Sequence, residues 1–337
     1  MRRTLKIVLA ATALTAAGPV AAQAATVTVT GDDGNPVAIN PAAPPTIRNM
    51  DVQAVTNVTA ADGPYYRAQV IGPDGVAASS PGICARPATL NSTTSFADYR
   101  GNGTYRVVVR RYTDSACNTP TGAPAEFPYT IGAGVAIGQP QGWLLSRQPN
   151  SVSPNTHSFG FNQNPGATLY EVRYARGGVI GPDGAISGPS AEGFVDRTTG
   201  TVPIRFDAPG RWVIVARAKT DDFFTPWSAP VTVQVKGPFD LQTITFPDSR
   251  GPSYSLRGVV REKAAAGRRV RVAIARGRKG GKFRTLGRPK IRRNGTFALR
   301  FRVQRTGRYR MRYTFRGSNL VAGARIVQSV RIRRRLI

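Results

Sequence analysis

Apolar residues recur at every second position along this chain, in short runs bounded by Gly, Pro, Asn and Asp. Arg106-Val107-Val108-Val109-Arg110-Arg111-Tyr112 and Val231-Thr232-Val233-Gln234-Val235 show the pattern. A strand sends successive side chains to opposite faces, so a period of two predicts strands with one face in a core. No stretch carries the 3.6-residue period of an amphipathic helix, and Gly (36) and Pro (26) are abundant. The pattern predicts an all-β chain.

The runs repeat on a larger scale. Val-Ile-Gly-Pro-Asp-Gly occurs at Val70 to Gly75 and again at Val179 to Gly184, 109 residues apart. Gly103-Thr104-Tyr105-Arg106-Val107-Val108-Val109 matches Gly210-Arg211-Trp212-Val213-Ile214-Val215-Ala216 at an offset of 107, and Thr113-Asp114 matches Thr220-Asp221 at the same offset. The difference of two is one small loop deletion, so a β-domain of about 105 residues is present in tandem. Pro-Asp-Gly suits a type I turn followed by a left-handed residue: Pro fixes φ, Asp bonds the backbone two residues on, and Gly accepts positive φ. A turn kept by duplication, rather than a ligand loop, is the reading. Asp32-Asp33-Gly34-Asn35 is also read as a turn, because a calcium loop counted from Asp32 would need its bidentate Glu where Ala43 stands.

Gly210-Arg211-Trp212-Val213-Ile214-Val215-Ala216-Arg217-Ala218, followed by Phe224-Thr225-Pro226-Trp227-Ser228-Ala229-Pro230-Val231-Thr232-Val233, resembles the last two strands of a fibronectin type III domain. Tyr170-Glu171-Val172-Arg173-Tyr174 resembles that family's third strand. The first copy lacks the Trp-Ser-x-Pro segment and resembles only an immunoglobulin-like sandwich. Asn294-Gly295-Thr296-Phe297 through Thr306-Gly307-Arg308-Tyr309-Arg310 to Gly317-Ser318 resembles bacterial immunoglobulin-like repeats of secreted and surface proteins. The resemblances imply three tandem sandwiches, residues 25–135, 136–236 and 237–337, used as spacers, adhesion or wall-associated modules with no catalytic residue. They also imply inward-facing Tyr105, Trp212 and Tyr309, a buried Tyr hydroxyl bonding backbone as in a tyrosine corner.

Arg2, Arg3 and Lys6 lead into the apolar Ile7 to Ala22 and then Gln23-Ala24-Ala25. This is the pattern of a secretory signal peptide cleaved after Ala24, giving residues 1–24 as signal and a secreted or cell-envelope product. An exported chain with two cysteines, Cys84 and Cys117, is expected to join them in a structural disulfide between two loops of one domain.

Charge changes the picture at Gly237. Residues 237–337 hold 28 Lys plus Arg against 3 acids, whereas residues 26–236 hold 16 against 15. Of the formal +29, +25 therefore lies beyond Lys236. Arg300 and Arg302, then Arg308, Arg310 and Arg312, alternate with apolar residues, and Arg269 and Arg271 continue the pattern. One reading is attachment through Arg forks to an acidic polymer or anionic surface: wall polymer, anionic lipid or extracellular DNA. The other is a solvated face in an arginine-biased sequence, since only 4 of the 28 are Lys. No zinc-finger or helix-turn-helix pattern is present, so sequence-specific nucleic-acid reading is not expected.

Catalytic equipment is sparse. The single histidine, His157, falls in a loop-like segment with no Gly-x-Ser-x-Gly elbow, and His or Cys in metal-ligand spacing do not occur. No enzyme, cofactor or metal is expected. Phe223, Phe224 and Trp227 would suit an aromatic platform for sugar stacking, a role that most of Trp143, Phe159 and Phe161 would forgo for the core. The leading expectation is a non-enzymatic adhesion or scaffold protein with a basic C-terminal domain; the alternative is a carbohydrate-binding accessory module.

Overall fold

In a computed structural model that describes residues 25–58, 64–87, 92–138, 143–144, 156–196, 198–248, 253–277 and 281–332, the alternating runs are strands of three tandem β-sandwiches. Residues 1–24, read above as a signal peptide, and the side chain of Trp143 lie outside the described residues. By packing the chain divides into two compact units, one ending at Gly132 and one beginning at Ala133.

The first unit contains β1 (Ala25–Thr30), β2 (Pro36–Ala38), β3 (Thr46–Ile47), β4 (Asp51–Val58), β5 (Tyr65–Ile71), β6 (Ser92–Asp98), β7 (Gly103–Tyr112) and β8 (Pro120–Ile131). They form two sheets, β2-β1-β4-β6 and β3-β8-β7-β5. Val27, Val29, Val52, Val70, Val107 and Phe127 are buried between them, as the alternation requires. Each such side chain contributes about 1.5–3 kcal/mol by leaving water. The predicted disulfide joins Cys84 to Cys117, with Cα atoms 5.9 Å apart. It pins the segment from Gly82 to Ala85 along the edge of β5: Gly82 N–H donates to Ala68 O (2.8 Å), and Tyr66 and Ala85 exchange two backbone bonds (2.8 and 2.9 Å).

The second sandwich contains β9 (Trp143–Leu144), β10 (Thr156–Gly160), β11 (Leu169–Arg176), β12 (Val179–Ile180), β13 (Ile186–Ser187), β14 (Ala191–Asp196), β15 (Thr201–Arg205), β16 (Gly210–Lys219) and β17 (Val231–Lys236). The sheet β14-β11-β16-β17-β9 faces the pair β10-β15. Strand β16 breaks the alternation because both its faces are covered. Trp212, Ile214 and Ala216 face the main core, while Val213 and Val215 pack with Ala175 and Ile186 beneath Ile180 and Trp227. The hairpin β12-β13 supplies that cover. Its Pro-Asp-Gly turn has the geometry of the first copy: Gly75 and Gly184 have φ of 77° and 82°, and Asp74 and Asp183 each accept an N–H two residues on at 3.1 Å. The repeated turn is thus a folding element in both places.

The third sandwich contains β18 (Leu241–Asp248), β19 (Ser253–Val260), β20 (Arg271–Arg276), β21 (Arg284–Gly287), β22 (Thr296–Arg302), β23 (Gly307–Phe315) and β24 (Ala324–Ile332), in sheets β18-β19-β22 and β21-β20-β23-β24. Leu256, Val272, Ile291, Phe297, Met311 and Tyr313 are among its buried core. The linker residue Gly237 exchanges backbone bonds with the β23-β24 loop, donating to Leu320 O (2.8 Å) and accepting from Ala322 N–H (2.9 Å).

One device recurs in all three sandwiches. Tyr105 Oη donates to Gly101 O (2.9 Å), Trp212 Nε1 to Ala208 O (3.0 Å) and Tyr309 Oη to Arg305 O (2.5 Å), always four residues back. Two residues before each ring stands a glycine, Gly103, Gly210 or Gly307, with φ of 145°, 149° or 142°. Such backbone is open to glycine and strained for other residues. The inward-facing corner expected at the three rings is present, with an indole N–H replacing the phenol in the second copy.

Candidate functional site

The outer face of β20-β23-β24 follows from pairing. On β23, Tyr309, Met311, Tyr313 and Phe315 point to the core and are buried, so Arg308, Arg310, Arg312 and Thr314 point out. Register places Arg331, Ser329, Val327 and Arg325 of β24 opposite those four, and Arg271 of β20 opposite Thr314. Six arginines therefore share one sheet face. Along a strand, same-face residues recur at about 7 Å, and cross-strand neighbours stand about 5 Å apart.

Their surroundings hold the charges without neutralising them. Arg310 and Arg312 lie beside the small, buried Ala275 and Ala273 of β20. The ring of Phe283 packs beneath their guanidinium groups, at 5.2 and 4.3 Å from the ring centre. Arg310 Nε is buried without a hydrogen-bond partner in the described structure. Arg271 donates through Nε and Nη2 to Thr285 Oγ1 (3.0 and 2.8 Å). Desolvation first, then the neighbouring Arg325 and Arg271, push the Arg312 guanidinium below its usual pKa. Among the described residues every ion pair lies between residues 32 and 217, and none involves an arginine of this sandwich. Like charges facing one another across strands are destabilising when nothing offsets them.

The seven arginines singled out in the sequence do not lie on one surface. Arg271, Arg308, Arg310 and Arg312 share the face just described. Arg300 and Arg302 are exposed on β22, opposite Ser255 and Ser253, in the other sheet of the sandwich. Arg269 precedes β20 and donates to Arg288 O (3.2 Å). Arg325, Ser329, Arg331 and Phe283 complete the face; the alternation Arg325, Val327, Ser329, Arg331 marks the β24 members in sequence, and nothing there marks Phe283.

The aromatic trio of the second sandwich is already engaged. Arg217 stacks on Phe224 (3.7 Å to the ring centre) and on Trp227 (4.3 Å), and Arg173 lies over Trp227 at 5.1 Å. Both guanidinium groups hold the buried carboxylate of Glu171: Arg217 Nη2 at 2.6 Å and Arg173 Nε at 2.8 Å. Phe223 is half-buried in the turn closed by Thr220. The cations cover one face of these rings, and Phe224 remains 38% exposed. His157, expected in a loop, lies on β10 opposite Ile204, because Thr156 to Gly160 alternates around the buried Phe159; burial lowers its pKa. No group of three or more His, Cys, Asp or Glu able to hold a metal occurs among the described residues.

No protein-family model and no curated protein matches the chain. Among solved structures, the two-domain fibronectin type III segment of chicken tenascin aligns with 58% of this chain and 97% of its own length, at 13% identity and a TM-score of 0.34. The FN1–FN3 domains of chicken CNTN1 cover 87% of this chain and 100% of theirs, at 11% identity and a TM-score of 0.27. The BSP domain of a biofilm-associated protein covers 56% of this chain and 27% of its own, at 12% identity and a TM-score of 0.19. Scores this low carry no functional inference; strand order and the repeated corners establish the sandwiches directly.

Proposed function

We propose that the protein is a non-enzymatic, secreted or cell-envelope adhesion or scaffold protein. Its first two sandwiches are spacers or protein-contact modules, and the outer face of β20-β23-β24 holds it to an acidic polymer or anionic surface. The observation that carries this reading is the set of six arginines on one face with no acidic partner among the described residues. A polyanion laid on that face would offset repulsion between strands and release its own counterions. The disulfide suits an oxidising, extracellular compartment. An arginine fork binds phosphate or carboxylate through paired donors, which fits the preference for Arg over Lys.

The test compares the full chain with its Arg271→Gln/Arg312→Gln/Arg325→Gln variant on purified cell walls and on anionic liposomes, across a salt series. Affinity of the parent protein should fall steeply with salt, and the variant's slope of log K against log salt should be shallower by roughly two to three. Equal slopes would assign the arginines to a solvated face.

A further inference from the structure

Strand β20 stops short of its neighbours. Its last pair is Arg276 with Tyr309, after which Gly277, at φ 88°, donates its N–H to Arg308 O (3.0 Å). Strands β23 and β24 continue to the pair Gly307 with Ile332. At this end lies a pocket of about 260 Å³ lined by Gly277, Arg308, Tyr309, Ser329, Val330 and Arg331. Pockets for drug-sized ligands begin near 300 Å³, so this one suits a single small group rather than a length of polymer.

Arg308 and Arg331 are directly opposed across the two strands, and neither joins an ion pair among the described residues. Ser329, two residues from Arg331 on the same strand face, adds a hydroxyl. Arg308 and Arg331 line the pocket from adjacent strands, and two cations side by side are matched better by two negative charges than by the single charge of one carboxylate. A phosphomonoester offers three strong acceptor oxygens and nearly two negative charges, matching the two guanidinium groups.

We propose that the Arg308–Ser329–Arg331 pocket is a discrete site for one phosphomonoester group, distinct from the diffuse attraction of the rest of the face. The inference rests on the anion-binding reading above and sharpens it to a ligand class. The group would come from free phosphate, a phosphatidic acid headgroup or a terminal phosphate on a polymer.

Calorimetric titration of the full chain with inorganic phosphate, methyl phosphate and dimethyl phosphate tests the site directly. Vesicles containing phosphatidic acid or phosphatidylglycerol, measured in parallel, distinguish the sources. The expected result is saturable one-to-one binding of the first two ligands and little of the diester. Binding should weaken about tenfold or more in Arg308→Gln and in Arg331→Gln, the factor for losing a hydrogen bond to a charged group. Arg308→Lys, which keeps the charge and loses the fork, should weaken it as well. Arg106→Gln, an equal charge change in the first unit, should leave it intact. Absence of saturable phosphate binding, or the same loss in Arg106→Gln, would overturn the site. Vesicle binding without phosphate binding would overturn the pocket and spare the anchoring face; phosphate binding without any vesicle or wall binding would do the reverse.

Discussion

Replacing both cysteines, as Cys84→Ser/Cys117→Ser, should loosen one edge of the first unit and leave the second untouched. The two residues are separated by 33 positions, and the chain-entropy relation gives about 3.7 kcal/mol at 25 °C for closing such a loop. A change of 1 kcal/mol moves the midpoint of a domain of this size by roughly 4 °C, so the first unit's transition should fall by about 15 °C. The local consequence follows from what the bond pins. Gly82 to Ala85 lies along β5, where Tyr66, Ala68 and Ala85 share backbone bonds, and on the other side Asp114 accepts N–H groups of Ala116, Asn118 and Thr119 to shape the turn that carries Cys117. Without the bond, the edge of β5 is free to open and to pair with another chain. Differential scanning calorimetry reads the midpoint, and hydrogen exchange reads the amides of Tyr66, Gly82 and Ala85. A shift below about 3 °C, unchanged protection at Tyr66, or an equal shift in both units would refute the assignment of this bond as the clamp of that edge.

Three further outcomes are expected. Tyr309→Phe removes the hydrogen bond to Arg305 O and should cost the second unit about 1 kcal/mol in denaturant unfolding, while Tyr105→Phe, which also frees Arg100 N–H, should act on the first unit alone. Glu171→Gln leaves Arg173 and Arg217 around an uncharged amide; because those side chains are 29% and 22% exposed, the loss should be about 2 kcal/mol, below the 3–5 kcal/mol of a fully buried pair. Asp74 is held below its usual pKa of 3.8 by the hydrogen bond from Arg100, and Asp114 by the N–H groups of Thr119 and Asn118. A carboxylate with a depressed folded pKa stabilises above the unfolded value and loses that contribution as pH falls through the folded one. The first unit should therefore weaken below about pH 4, and Asp74→Asn/Asp114→Asn should flatten that slope in pH-dependent melting curves.

Where one face is buried and the other wet, as in Gly103 to Tyr112 or Gly307 to Phe315, the period of two was enough to place each strand and its inward residues. The hexapeptide and the glycines two residues before Tyr105 and Trp212 revealed the repeat because the turn and the corner need those residue types at those positions. The doubly buried β16 reads as a continuous apolar run, and only the hairpin folded over it explains why. His157 was hidden by the Pro and Asn before it, although Phe159 two residues on marks a strand. Charge density located the basic sandwich, but pairing divides its arginines between two sheets. Arg300 and Arg308 belong to similar alternating runs and stand on opposite sides. Likewise, nothing in the sequence shows that Arg217 and Arg173, on paired strands β16 and β11, lie over Phe224 and Trp227.

The most direct test of the proposed anchoring face is its footprint. Hydrogen exchange of the full chain at low salt, with and without phosphatidylglycerol vesicles, should show slowed exchange confined to residues 271–275, 308–314 and 325–331, and the effect should disappear at high salt. Slowed exchange around Phe224 and Trp227 instead, or a footprint that persists at high salt, would contradict electrostatic attachment through the arginine face.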